Sequence, residues 1–216
     1  QSSGLGNCWP RVSSRVLAAT WHILKMAYSA AGSKQQRWIT PLRKTSTKRT
    51  SDGVTEKERG TDSMKLFTYA FEGNWKPADK RLVFETLLDP RGWKTRGLLL
   101  LPHDAVPQQK RPLKPTFTLG FNAPEDMPDG FHDLSVTYMS TRPRRVYFNT
   151  QNWARIPPAS GYKSLKDYRI YLINHEVGHA ALGLDHVPCG GPGQVAPIMM
   201  QHTKGVAPCV LNPWVN

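Results

Sequence analysis

The sequence predicts one α+β domain over residues 64 to 216, and three observations support this. Short strand-like runs separated by turn residues fill the first half of the region, a long helix-like segment follows, and a stretch rich in Gly and Pro comes last. Several strands and a helix, then one further helix and a coiled tail, are typical of the α+β class. A chain of 216 residues suits one ordinary domain with a core and room for a tail.

The strands are predicted where aromatic and branched apolar residues alternate or cluster between Pro, Gly and Asp turns. Lys65–Phe71 (KLFTYAF) alternates in this way. The other predicted strands are residues 98 to 101, 116 to 121, 134 to 139 and 145 to 149.

Two helices are predicted. The first spans Pro77–Leu88, and its apolar side chains fall roughly on one face; they are Leu82, Phe84, Leu87 and Leu88. The second begins after Ser164, whose hydroxyl can accept a hydrogen bond from an amide of the first turn. It passes through His175 and His179, and the chain is expected to be irregular after Gly183.

The formal net charge of +13 is denser at the start of the chain. Residues 1 to 63 hold 11 Lys and Arg against 4 acidic residues, whereas residues 64 to 216 hold 18 against 12. The basic excess is therefore not concentrated on the predicted domain, and no nucleic-acid partner is expected. No apolar run approaches the roughly 20 residues of a membrane-spanning helix, so no membrane span is expected.

Residues 1 to 63 lack sustained periodicity and are rich in Ser, Thr, Lys and Arg, which predicts a disordered leader or a non-native extension. Residues 16 to 31 loosely resemble a signal peptide with cleavage near Ala30, although His22 and Lys25 interrupt the apolar run. The alternative is that Met64 is the natural start of the chain.

Residues 174 to 189 (NHEVGHAALGLDHVPC) carry the candidate chemistry. On a helix, where each residue advances about 100°, His175 and His179 lie about 40° apart and Glu176 falls in the same sector. Two imidazoles one turn apart can bind one ion, and zinc with an open ligand position is typical of hydrolytic sites. We therefore predict Zn²⁺ as the cofactor and Glu176 as the general base.

A catalytic zinc site needs a third protein ligand, and two residues beyond the helix are candidates. Gly183 can end the helix in a left-handed turn that returns the chain toward the metal, which favours His186. Asp185 is the alternative, because carboxylate oxygen also ligates zinc. Met199 and Met200 lie in a later turn-rich segment, where a methionine can form an apolar floor beneath the metal.

HExxH alone is a weak signal, since the histidines of an ordinary helix can be satisfied by hydrogen bonds. The whole order resembles the metzincin clan of zinc peptidases, whose pattern is HExxHxxGxxH followed by a methionine turn. In this chain Gly183 and His186 follow His179 by four and seven residues, one more than the clan spacing. A bulge near the two alanines after His179 would bring His186 to the metal, whereas the strict spacing places Asp185 there.

More narrowly, residues 168 to 216 look like a family of short, predicted secreted, mostly bacterial and largely uncharacterised metallopeptidases, and the element DPRGW at residues 89 to 93 agrees. The resemblance covers residues 64 to 216, and residues 1 to 63 have no counterpart in it. It implies a zincin-like mixed sheet over the active-site helix, with an edge strand at residues 134 to 139 that pairs with extended peptide.

The same resemblance implies a disulfide between Cys189 and Cys209. From the residues alone, the two cysteines can either pair, in an oxidising compartment, or remain free thiols. The expectation is a secreted, monomeric enzyme that acts on a peptide or protein substrate.

Three functions compete. The leading one is zinc-dependent hydrolysis of peptide bonds. The second is an inactive metzincin-like peptide-binding protein, in which the added residue displaces the third ligand. The third is binding of nucleic acid or an anionic surface by residues 1 to 63, beside a structural zinc; it ranks last because no aromatic platform is interleaved with the charges.

Other polar residues receive simpler interpretations. His202 is a candidate to line the cleft and polarise the substrate carbonyl. His103 and His132 are expected to be solvated. A basic cluster beside a strand is expected to be a solvated face; its members are Arg142, Arg144 and Arg145.

Overall fold

A computed structural model describes residues 64 to 216, which form an α+β fold around a five-stranded mixed sheet. The strands are β1 (Lys65–Phe71), β2 (Leu98–Pro102), β3 (Phe117–Asn122), β4 (Val136–Tyr138) and β5 (Arg144–Asn149). The α-helices of this part are α1 (Pro77–Leu88), α2 (Thr150–Ala154) and α3 (Leu165–Val177). The predicted α+β class is confirmed, and the predictions for residues 1 to 63 lie outside the described residues.

The strands lie in the order β2-β1-β3-β5-β4. The first four are parallel to their neighbours, whereas β4 is antiparallel to β5. Val146 of β5 faces Leu119 of β3 on one side and Thr137 of β4 on the other. Within residues 64 to 216, β4 pairs with β5 alone, so it is the edge strand predicted at residues 134 to 139, in a shorter form.

Apolar side chains cover both faces of the sheet, as parallel strands buried on both sides require. On one face, Phe67 and Tyr69 of β1 belong to the main core together with Tyr168 and Ile173 of α3. On the other face lies a smaller cluster of Leu66, Leu99, Leu101 and Val106. Each fully buried Leu or Phe contributes roughly 1.5–3 kcal/mol, so the main core holds α3, which carries the candidate ligands, firmly against the sheet.

Helix α1 has the predicted bounds, and the apolar residues assigned to one of its faces are buried to different degrees. Leu87 is buried, together with Val83 and Thr86. The other predicted members of the face are only partly covered: Leu82, Phe84 and Leu88. The buried face follows from contact with α3 and β2, which local apolarity does not specify.

Helix α3 begins as predicted, because the Ser164 hydroxyl accepts a hydrogen bond of 3.2 Å from the amide of Asp167. This satisfies one of the amides that a helix N-terminus leaves free. Among the described residues, no helix is long and apolar enough to cross a membrane.

The segment after α3 is irregular, as predicted, and a disulfide holds it together. Cys189 and Cys209 are bonded, with their Cα atoms 5.8 Å apart, so the pairing implied by the resemblance is confirmed. Val195 and Val210 form a β-bridge within the same segment. The cross-link therefore constrains the loop that carries Met199.

Candidate metal centre

Three imidazoles meet at the end of α3. The Nε2 atoms of His175 and His179 are 3.3 Å apart. His186 joins them from the following loop, and its Nε2 atom is 3.2 Å from that of His175 and 3.1 Å from that of His179. These three side chains form a group that can hold a metal ion. Asp185 lines the same cleft but does not belong to the group.

Two of these rings direct lone pairs at each other. His175 Nδ1 lies 2.9 Å from the Ile198 carbonyl oxygen, and His179 Nδ1 lies 2.5 Å from that of Leu184. A carbonyl oxygen only accepts, so each Nδ1 carries the ring proton and each Nε2 is left as an acceptor. Burial, followed by the neighbouring His179, lowers the pKa of His175 to about 3, which keeps this ring neutral at pH 7. Facing acceptors of this kind are stabilised by a cation between them.

The size of the triangle fits zinc. Imidazole nitrogens bind zinc at about 2.0–2.1 Å, so tetrahedral angles place two such nitrogens roughly 3.3 Å apart. The three observed separations are 3.3, 3.2 and 3.1 Å. Imidazole ligands also suit zinc better than magnesium or calcium, which prefer oxygen. Three imidazoles around one zinc ion would leave a fourth position open, as in catalytic zinc sites.

A single π-helical turn, Gly178–Leu182, absorbs the added residue. Such a turn accommodates one residue more than an α-helical turn. Gly183 then adopts a left-handed conformation with a φ of 71°, and its amide donates to the His179 carbonyl at 2.9 Å. The predicted bulge and the predicted left-handed turn are therefore both present, and they bring His186 to the other two imidazoles.

Arg144 supports this turn from β5. Its Nη1 atom donates to the Ala180 carbonyl at 2.9 Å and to the His179 carbonyl at 3.3 Å. The last carbonyls of a helical segment lack partners within the helix, and the guanidinium group supplies a donor to that of Ala180. It adds a second donor to the His179 carbonyl, which also accepts from the Gly183 amide. The interpretation of Arg144 as part of a solvated face is therefore wrong: it is partly buried, and desolvation lowers its pKa.

Replacing Arg144 by Met is expected to weaken zinc binding by about 10-fold or more, since loss of groups that orient metal ligands costs about 10–100-fold. The substitution keeps the length of the side chain and removes the hydrogen bonds to the turn. Competition with a chromogenic chelator measures the affinity. Arg145→Met is the matched control, because Arg145 is exposed and its ion pair is with Glu72. Equal zinc affinities of the two variants would contradict this role.

Met199, one of the two methionines predicted to form an apolar floor beneath the metal, packs against the backbone of Gly178. A Cβ atom at Gly178, inside HEVGH, would overlap Met199 Sδ and approach Trp93 Cζ2 to 2.9 Å. Met199 is itself buried. Met200 has a different role, because its carbonyl accepts a hydrogen bond of 3.1 Å from Tyr171. A residue without a side chain is therefore required at position 178, because the loop that carries Met199 packs directly against the backbone there.

Gly178→Ala is expected to lower the free energy of unfolding by about 1–3 kcal/mol, the usual cost of overpacking. Chemical denaturation measures the change. In the double variant Gly178→Ala/Met199→Ala, the overlap with the sulfur is removed, so its destabilisation is expected to be smaller than the sum of the two single effects. Simple additivity would show that the contact is unimportant.

His202 lies beneath the cleft rather than in it. It is 0% exposed. Its Nδ1 atom lies 2.9 Å from the Tyr162 hydroxyl and its Nε2 atom 3.0 Å from the Pro197 carbonyl. Its ring stacks on Tyr171 at 4.2 Å between centroids, and Tyr171 in turn contacts His175 at 5.3 Å. The prediction that His202 polarises a substrate carbonyl is therefore wrong, because both nitrogens are engaged in a buried layer that supports His175.

Glu176 lies in the same cleft as the three imidazoles and is 4% exposed. The Thr137 hydroxyl of β4 donates to its Oε2 atom at 2.6 Å. Burial raises the pKa of Glu176 to about 7, against the lowering effect of this hydrogen bond. A carboxyl group with a pKa near neutrality can both accept and return a proton under ordinary conditions.

The cleft has a volume of about 270 Å³ and extends from the imidazoles to β4. Its wall on the β4 side carries the apolar side chains of Leu134, Val136 and Met139 beside Ser135 and Thr137. Asn149 Nδ2 donates to the His132 carbonyl at 2.8 Å, and Asn152 Nδ2 donates to the Asp133 carbonyl at 2.6 Å. These bonds fix the approach to β4, so the wall of the cleft is held in place.

Thr137 was not found by sequence reasoning, and no motif signals it, because its contact with Glu176 joins residues 39 positions apart. His103 and His132 remain outside the metal group, as expected. His103 Nδ1 lies 3.2 Å from the Thr68 hydroxyl, and the exposed His132 lies 2.9 Å from the Pro124 carbonyl.

A family model described as a protein of unknown function (DUF3152) matches residues 43–213. The matched region begins at residue 43, whereas the resemblance to metallopeptidases begins at residue 64. Searches of curated proteins and of solved structures found no match, so the likeness to zincins stays a prediction. The family match spans most of the chain, including the three histidines and Glu176, and the chain therefore belongs to the DUF3152 family.

Proposed function

We propose that the protein is a zinc-dependent peptidase in which His175, His179 and His186 hold the ion and Glu176 is the general base. The observation that carries this proposal is the triangle of Nε2 atoms, with sides of 3.1, 3.2 and 3.3 Å, beside a buried carboxyl group. A structural zinc site usually has four protein ligands, whereas the group here has three and opens into a cleft.

A bound zinc ion supplies Lewis acidity, which lowers the pKa of water and polarises a carbonyl oxygen. Glu176 accepts a proton from the attacking water and passes it to the leaving amine. The hydrogen bond from Thr137 to Oε2 holds the carboxyl group of Glu176 in a fixed orientation for this transfer. The hydrogen bonds of His175 and His179 to backbone carbonyls fix the orientation of both rings.

The substrate that fits this cleft is an extended peptide. β4 has no strand partner on its outer side among the described residues, and such an edge can pair with an added strand. The apolar wall formed by Leu134, Val136 and Met139 favours apolar substrate side chains. The disulfide between Cys189 and Cys209 supports a secreted location, where disulfides persist.

The alternative of an inactive peptide-binding protein depended on displacement of His186 by the added residue. Inclusion of His186 in the triangle supports hydrolysis instead.

Incubation of the zinc-loaded full chain with a peptide library made by digesting a proteome tests the proposal. Mass spectrometry is expected to show new peptide termini, which disappear after chelation and return when zinc is added. Bound zinc without any new termini would contradict the proposed activity.

A further inference from the structure

A second hollow, of about 330 Å³, borders the π-helical turn at Ala180 and Ala181. It shares no lining residue with the cleft of the metal centre. It is therefore a separate concavity of the domain, and the proposed peptidase mechanism does not use it.

Three cationic side chains, Lys114, Arg142 and Arg144, line this hollow. None of its described lining residues is acidic. The ion pairs found within residues 64 to 216 all involve other basic residues. The positive charge of the hollow thus has no protein counter-ion in the described part of the chain.

The two guanidinium groups keep free donors. Arg142 uses Nη1 to bind the Met139 and Thr141 carbonyls, both at 2.8 Å. Arg144 uses Nη1 for the π-helical turn. Within the part that the structure describes, Nε and Nη2 of both residues make no hydrogen bond. This edge of a guanidinium group offers two parallel N–H donors, which match the oxygens of a phosphate or sulfate group.

The surroundings strengthen attraction for an anion. Apolar walls made by Pro112, Pro115 and Pro143 reduce the solvent around the charges, so each charge interacts more strongly than in water. A bound anion would also offset the repulsion between the like charges of Arg142 and Arg144, which line the same hollow.

We propose that this hollow is a binding site for a small oxyanion of the phosphate or sulfate type. Lys114 and Arg142 supply charges at the exposed rim. Arg144 supplies a charge that its bonds to the turn already hold in position. No metal ligand lines the hollow, and Arg144 is the residue that it shares with the support of the π-helical turn.

Isothermal titration of the zinc-loaded full chain with sodium sulfate, against sodium chloride of equal ionic strength, tests the proposal. Saturable binding of sulfate is expected, with an affinity at least about 10-fold lower in Lys114→Gln/Arg142→Gln, since each hydrogen bond to a charged group that is lost weakens binding by about that factor or more. Arg144 is left unchanged because it supports the turn. The control Lys163→Gln/Lys166→Gln removes the same charge from exposed positions away from the hollow.

Equal sulfate affinities in the three proteins, or no saturable heat with the unmutated chain, would overturn the proposal. Co-sedimentation with phosphatidylcholine vesicles containing phosphatidylglycerol distinguishes the source of the oxyanion once sulfate binding is shown. A decrease confined to Lys114→Gln/Arg142→Gln assigns the site to a lipid headgroup. Equal co-sedimentation of that variant and the unmutated chain assigns it to a soluble ion.

Discussion

Replacing Glu176 by Gln is expected to lower kcat by about 10²–10⁴-fold, the usual contribution of a positioned general base. Gln has nearly the same shape and can still accept a hydrogen bond from Thr137, but it cannot take a proton from water. Because Glu176 is not part of the three-His group, zinc binding is expected to be retained. Turnover of a peptide identified in the library screen, together with zinc content, gives both quantities.

Glu125→Gln is the matched control for this variant, since Glu125 is an exposed carboxylate outside the cleft. It is expected to leave kcat and zinc content unchanged. If Glu176→Gln retained full activity, the carboxyl group could not be the base. If it lost its zinc, loss of activity would no longer identify a role in proton transfer.

Replacing His186 by Ala is expected to weaken zinc binding by more than about 100-fold, because even partners that only orient metal ligands contribute about 10–100-fold. His186 is the exposed member of the group, so its removal costs little in packing. Competition with a chelator measures the dissociation constant, and circular dichroism confirms that the variant is folded.

Asp185→Ala is the control, because Asp185 was the alternative third ligand and precedes His186 directly. It lines the cleft but lies outside the group, so a change of less than about 10-fold is expected, below the range for groups that support ligands. A larger loss of affinity in Asp185→Ala than in His186→Ala would assign the third ligand to Asp185.

Features that depend on neighbours in sequence were predicted well. Ser164 identified the start of α3, because an N-cap needs only a hydroxyl and the next turn of the helix. Gly183 identified the end of the helical segment that continues from α3 through the π-helical turn, because a left-handed residue there is usually glycine. The spacing left His186 and Asp185 open as third ligands. The π-helical turn decides which of them joins the other imidazoles, and hydrogen bonds from Arg144, in a distant strand, support that turn.

Features that depend on distant contacts were missed. The buried side of α1 is set by its packing against α3 and β2. His202 is near the methionines in sequence, but Tyr162 and Tyr171 enclose it in the core. Thr137 has no distinctive sequence signal, and its contact with Glu176 exists only because β4 lies beside α3. Tertiary packing, rather than local propensity, decides these cases.

Zinc content of the full chain tests the central claim most directly. The protein is purified without added metal, titrated with zinc, freed of excess ion and measured by inductively coupled plasma mass spectrometry. The geometry of the three imidazoles predicts one zinc ion per chain. A chain that retains no zinc after saturation would contradict the metal centre, and with it the peptidase proposed here.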